Sequence, residues 1–135
     1  MEDCIFCKII KGEIPCTKVY EDGDVLAFLD IAPVNKGHTL VIPKEHYERL
    51  ADIGDDLYAL VAKAVRKISN AVMKAAGTDG CTVIQSDGKT GGQLVPHLHM
   101  HIIPRLKDDN LKFWPQGKYA EGEADKVAEK IKKAL

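Results

Sequence analysis

Residues 97 to 101 read His-Leu-His-Met-His and hold three of the five histidines in the chain. Imidazole titrates near neutrality, so it serves as nucleophile, acid, base or metal ligand. Strand alternation puts His97, His99 and His101 on one face and the apolar Leu98, Met100 and Ile102 on the other. At a rise of ~3.3 Å per residue the outer two backbones stand ~13 Å apart, whereas a zinc–nitrogen bond spans only ~2.0–2.1 Å. One ion held by all three requires a bent strand. A divided row, with metal at one end and other chemistry along the rest, is the simpler reading.

The metal end has a partner set. Cys4-x-x-Cys7 supplies two ligands at a zinc spacing, and His46 and His97 complete a Cys₂His₂ structural zinc site that ties the N-terminal segment to a sheet. The other reading is an unmetallated C-x-x-C with two surface histidines. A thioredoxin-type redox motif does not match, because no strand precedes the cysteines. His99, His101 and His38 remain for chemistry. Just upstream, "SDGKTGGQ" (86 to 93) is rich in glycine. Gly88, Gly91 and Gly92 allow backbone N–H groups to turn inward and cradle phosphate oxygens, with Lys89 and Gln93 adding donors. An ordinary turn is the alternative for the loop taken alone.

The elements that must hold these residues follow from pattern. "CIFCKIIKG" reads as a short helix ending at Gly12. "TKVYED" and "DVLAFLDI" are strands joined at an Asp22-Gly23 turn, and "HTLVIP" (38 to 43) is a third strand stopped by Pro43. Residues 55 to 76 form a long helix. Its stripe is Leu57, Leu60, Val61, Ala64, Ile68, Ala71, Val72 and Ala75, and Gly77 ends it. "CTVIQS" and "HLHMHIIP" (97 to 104) are the fourth and fifth strands. "EADKVAEKIKKAL" is a C-terminal helix with Val127, Ile131 and Leu135 spaced by four. The sum is an α+β fold with a five-stranded, mainly antiparallel sheet.

With 135 residues, 45% hydrophobic, 29% charged and a net charge of −1, the chain reads as one domain over residues 1–135. The balance lacks the basic footprint of a nucleic-acid-duplex binder. No apolar run approaches the ~20 residues of a membrane span, and the first residues lack a signal-peptide pattern. A cytoplasmic protein is expected, with cysteines present as thiols or ligands. Cys16 and Cys81 read as packing residues.

"GGQLVPHLHMHIIPR", together with "CIFCKIIKGEIP", "AFLDIAPVNKGHTLVIPKEH" and "WPQG", resembles the histidine-triad (HIT) family. His97 to Ile103 fits its H-φ-H-φ-H-φ-φ motif (φ apolar) at all seven positions. The similarity is to the Hint-like branch that keeps zinc cysteines and a C-terminal helix. The resemblance implies a nucleotidyl hydrolase or transferase that frees a purine nucleoside monophosphate, AMP foremost, from an amine or phosphate leaving group. By the same resemblance His99 attacks the α-phosphate, His101 binds phosphate oxygens and His38 supports the catalytic histidine. Gln93 and the backbone at Gly92 hold phosphate, and Asp30 takes the ribose hydroxyls. Ile5, Phe6, Ile9, Ile14, Phe28 and Ile31 line the base slot. Two positions depart from the family pattern. Ser86 stands where asparagine is frequent, and Leu94 stands where a leaving-group hydroxyl is frequent. A two-fold homodimer is implied, with Ala59, Val65 and Met73 as apolar candidates on the outer face of the long helix and Trp114 reaching toward a partner. Rival readings are a dinucleoside polyphosphate hydrolase or transferase of this fold, a non-catalytic nucleotide-binding zinc protein, and a hydrolase using the triad as metal ligands.

Overall fold

A computed structural model describes residues 3–135. The elements are α1 (Ile5–Ile10), β1 (Lys18–Glu21), β2 (Val25–Leu29), β3 (Thr39–Pro43), α2 (Asp55–Ala76), β4 (Cys81–Ile84), β5 (Met100–Pro104) and α3 (Glu123–Ala134). The sheet runs β1-β2-β3-β5-β4, and every neighbouring pair is antiparallel. The Asp22 carboxylate fastens the first hairpin by accepting the N–H groups of Asp24 and Val25, each at 2.8 Å.

Both faces of the central strands are buried, which explains their unbroken apolar runs. Val25, Ala27, Val41 and Ile102 pack under α2 against Val61, Ala64, Val65, Ile68 and Val72. Leu26, Phe28, Leu40 and Ile42 face the other way, onto Cys4 and Phe6. Alternation along β2 and β3 therefore assigns one side of the sheet to the long helix and the other to α1. Gly77 ends α2 in the left-handed conformation (φ 70°), and the N–H of Thr78 reaches back to the Met73 carbonyl.

The stripe of α2 differs from expectation. Val65, expected on the outer face, is core; Leu60, Ala71 and Ala75 are exposed. At about 100° per residue the buried set 61, 64, 65, 68, 72 centres on Val61, whereas Leu60 and Ala71 fall well to one side of it, so the core face is the same period rotated toward Val65. Ala59 is exposed and Met73 half-buried. Helix α3 forms at the expected residues, but it buries none of them, and Ile131 and Leu135 are exposed. Among the described residues no helix is long and apolar enough to cross a membrane.

The fifth strand is shorter than its pattern. It begins at Met100, so His97 and His99 lie outside it. The pairing of Val41 with Met100, continued two residues, would set Leu98 opposite Pro43. Proline has no N–H to extend the ladder. The Leu98 N–H turns instead to the Tyr47 carbonyl at 2.6 Å.

Candidate functional site

The three histidines still share a side, the side of α1. Phe6 projects from α1 and meets the rings of His97 and His99 edge-on, with centroids 5.8 and 5.2 Å away. His99 and His101 are 5.0 Å apart. Leu40, directly opposite His101 across β3 and β5, carries the same face onward.

Hydrogen bonds fix which nitrogen of each ring carries the proton. A backbone carbonyl only accepts, so His97 holds its proton on Nε2, donated to the Pro43 carbonyl at 2.9 Å. Its Nδ1 is left with a lone pair. His99 donates Nδ1–H to the His97 carbonyl at 2.7 Å, leaving the Nε2 lone pair free. A backbone N–H only donates, so Nδ1 of His38 accepts from Val34 at 3.1 Å. His38 must then donate Nε2–H to Nδ1 of His101 at 2.9 Å, and His101 presents Nε2–H outward. The site thus offers one nucleophilic nitrogen, on His99, beside one donor, on His101.

All four rings in this array are held neutral. Burial pushes His38 and His99 below their ordinary range. Burial, with the neighbouring His99 and His38, takes His101 to about 4; burial likewise takes His97 to about 4. Asp30 Oδ2 lies 3.7 Å from Nε2 of His38, but against a neutral ring this is no ion pair. Its Oδ1 accepts the Ala32 N–H at 2.9 Å. Asp30, His38 and His101 also form a donor cluster. Both nitrogens of His38 and Nδ1 of His101 already hold hydrogen bonds, so a hydrogen-bonded relay describes them better than a metal cage.

His99 and His101 open into a cavity of about 390 Å³. Of the expected binding residues, Phe6, Ile9, Phe28, Asp30, Ile31, Gly92 and Leu94 line it, along with Ile5 and Ile14. Pro15, Cys16, Leu29, Leu40 and Val95 line it too and were not foreseen as site residues. Leu40 was findable, because it pairs with His101. Cys16, read as packing, has an apolar neighbourhood but also a place on the cavity wall.

Ser86 and Gln93 do not line the cavity. Gln93 is buried, and its amide is fully engaged. Oε1 accepts the Gly88 N–H at 2.8 Å, and Nε2 donates to the carbonyls of Glu48 (2.8 Å) and Val95 (3.1 Å). The side chain braces the loop and leaves no donor for a ligand. The proposed cradle is corrected in the same way. The N–H groups of Gly91, Gly92 and Gln93 bond to carbonyls of Gly88 and Lys89 within a tight turn. Glycine is needed at 88 (φ 82°), where an added Cβ would sit 2.9 Å from the Arg49 guanidinium. Arg49 in turn pairs with Asp87 at 3.1 Å. Ser86 Oγ lies behind Gly92, 3.5 Å from where a Cβ would be.

On the other side of His97, Cys4, Cys7, His46 and His97 bring one donor atom each within 4.8 Å of one another. Sulfur–nitrogen distances are 3.3 to 3.6 Å, and the two Nδ1 atoms are 3.1 Å apart. Tetrahedral zinc, with bonds of ~2.0–2.1 Å to nitrogen and ~2.3 Å to sulfur, spaces its ligand atoms by roughly 3.3–3.8 Å. The lone pair on His97 Nδ1 points into this group, and the Pro43 carbonyl behind it is the outer partner that metal-bound histidines commonly have. The four residues fit a tetrahedral metal ion.

Comparison with known proteins agrees with the geometry. The family model described as HIT domain matches residues 11–108. An uncharacterized HIT-like protein of Methanocaldococcus jannaschii is 50% identical over 131 residues, covering 96% of this chain and 98% of the relative. An adenosine 5'-monophosphoramidase of Schizosaccharomyces pombe is 46% identical over 106 residues, 78% of this chain and 77% of its own. The crystal structure of a zinc-bound histidine triad family protein from Mycobacterium smegmatis superposes with a TM-score of 0.79 at 34% identity, covering 99% of each chain.

Proposed function

Because the chain belongs to the HIT domain family, we propose that it is a nucleotide hydrolase that releases a nucleoside 5'-monophosphate, AMP foremost, by way of a covalent nucleotidyl-histidine on His99. The observation that carries this reading is the free Nε2 lone pair of a buried, neutral His99 at the wall of a largely apolar cavity, beside the Nε2–H of His101. A purine base suits Phe6, Ile9, Phe28 and Ile31, and Asp30 suits two ribose hydroxyls as a bidentate acceptor. The phosphoramidase name of the Schizosaccharomyces pombe relative supports the substrate class.

In this mechanism the α-phosphate sits between His99 and His101. Nε2 of His99 attacks phosphorus as the bond from phosphorus to the leaving-group atom breaks and that atom departs with the electron pair, and the Nδ1–H of His99, held by the His97 carbonyl, keeps the ring oriented while it gains positive charge. His101 donates Nε2–H to a phosphate oxygen, and His38 steadies His101 from behind. Water then cleaves the phosphorus–nitrogen bond and restores the neutral ring. Cys4, Cys7, His46 and His97 would hold a structural zinc, which would fasten α1 and the base slot to the sheet. The chain works as a homodimer, supported by the exposed Ala59 and Leu60 on α2 and Val83 on the sheet edge, with Trp114 available to a partner. It works in the cytoplasm, where four cysteines without a disulfide suit a reducing compartment.

Single-turnover reaction with adenosine 5'-monophosphoramidate, followed by intact mass, tests the reading. An adenylyl adduct is expected on the wild type and absent from His99→Gly. Normal steady-state turnover in His99→Gly would refute it.

A further inference from the structure

This inference rests on the reading above and concerns His101, the donor that faces the phosphate. We propose that Asn35 is a positioning residue for the reaction: its side chain ties the loop that carries His38 to the end of β5, so that His38 keeps His101 presenting Nε2–H to the cavity.

His38 and His101 come from different elements. His38 closes the loop between β2 and β3, and His101 sits on β5. Their 2.9 Å hydrogen bond requires both main chains to be held in place. Asn35 supplies a second bridge beside it. Its carbonyl accepts the His38 N–H at 3.0 Å, and its side-chain amide donates to the Pro104 carbonyl at 2.8 Å. Pro104 is the last residue of β5, three beyond His101. The other amide hydrogen goes to Oδ2 of Asp109 at 3.1 Å. Among the described residues from 30 to 38, the side chains that hydrogen-bond outside the loop are those of Asn35 and His38.

Neither acceptor has a hydrogen to give. A carbonyl only accepts. Asp109 is an ionised carboxylate, held well below the usual range by Arg105, which grips it at 2.9 and 3.1 Å. The nitrogen of the Asn35 amide must therefore face both, and aspartate, equal in size but without a donor, cannot replace it. Asp109 also accepts the N–H groups of Leu106 and Leu111, each at 3.0 Å, so the loop is tied to a fully engaged carboxylate. Asn35 directly follows Val34, whose N–H meets Nδ1 of His38. Holding Asn35 thus fixes the His38 ring through one neighbour and the His38 main chain through its own carbonyl. Asp30 is secured differently. Its N–H bonds to the His38 carbonyl at 2.9 Å, next to the Leu29–Thr39 pair of the ladder. Loosening Asn35 is expected to disturb the two imidazoles more than the ribose contact.

The test uses the full chain as wild type, Asn35→Asp, Asn35→Ala and, as a control for lost stability, Val72→Ala in the core under α2. Asn35 is half-buried in a surface loop, so the variants at 35 are expected to fold, and a melting curve checks this. Ring ¹⁵N spectra read which nitrogen of His101 holds the proton. Single-turnover adduct formation with adenosine 5'-monophosphoramidate reads the rate, and titration with AMP reads affinity. The wild type is expected to hold the His101 proton on Nε2, and both variants at 35 to share it between the two nitrogens. Val72→Ala should match the wild type. Losing one preorganised donor to a developing anion costs about 10²–10³-fold, and a donor misdirected part of the time costs less. Adduct formation in both variants should therefore fall about 10-fold, with AMP affinity far less changed. Ring signals or rates that stay at the wild-type values, or that change equally in Val72→Ala, overturn the inference and leave the His99 mechanism standing. So does a loss of AMP affinity as large as the loss of rate. A wild type that forms no adduct overturns the His99 mechanism, and this role in the reaction with it.

Discussion

The carbonyl of His97 lies 2.7 Å from Nδ1 of His99, while the ring of the same His97 turns Nδ1 toward Cys4, Cys7 and His46. One residue thus serves both places, with its side chain in the cluster that could hold a metal and its main chain orienting the ring of His99. Purified protein is expected to carry one zinc per chain. Stripping it with a strong chelator should lower Tm by at least about 5 °C. It should also shift the ring ¹⁵N resonances of His99, which an unrelated structural ion would leave in place. Metal content near zero after mild purification, with Tm insensitive to chelator, would contradict this.

Gln93 and Leu94 are neighbours with opposite surroundings, one buried and the other 92% exposed. Gln93→Ala removes three hydrogen bonds and orphans the Gly88 N–H, a loss of about 2–4 kcal/mol. Leu94→Ala is expected to stay within about 0.5 kcal/mol. Urea titrations of the two variants decide it; equal midpoints would mean the amide does not brace the loop.

Acid should weaken the fold through His101. Its pKa is about 4 when folded, below the ordinary 6.5, so the unfolded chain binds the proton more readily. The stability it contributes is fully present above pH 6.5 and is lost as pH falls toward 4. His38, also depressed by burial, acts in the same direction. Melting temperature measured from pH 7.5 to 4.5 should fall more steeply in the wild type than in His101→Asn. Parallel curves would remove His101 from the account.

Phe6 touches Phe28, His97 and His99 at centroid distances of 5.5, 5.8 and 5.2 Å. Truncation to alanine should cost about 3–5 kcal/mol. Phe6→Leu, which refills most of the volume, should cost distinctly less. A small loss in Phe6→Ala, measured by denaturant unfolding, would show that α1 is not anchored through this ring.

Much of this arrangement was legible in the sequence because it depends on period and spacing. The unbroken apolar runs in "VLAFL" and "TLVIP" suit strands buried on both faces, and C-x-x-C with His46 and His97 marks a cluster that could hold a metal. What escaped depends on individual hydrogen bonds. Pro43 ends its own strand and still pairs with Val25 of β2, but it has no N–H to carry the ladder on toward β5. The glycine-rich loop resembled a cradle, yet its N–H groups close on its own carbonyls. Gln93 looked like a ligand donor because its type permits it; only the three-dimensional path brings Glu48 within 2.8 Å of its amide.

The row of rings that ends at His101 begins at the main chain of Val34, whose N–H enters Nδ1 of His38. That single amide gives the relay its polarity: reverse it, and His101 would offer the cavity a lone pair instead of a proton. The side chain of Val34 is 46% exposed and has no part in this. Position 34 can therefore vary freely in residue type with the directionality of the site intact, and proline alone, by deleting the amide hydrogen, erases it.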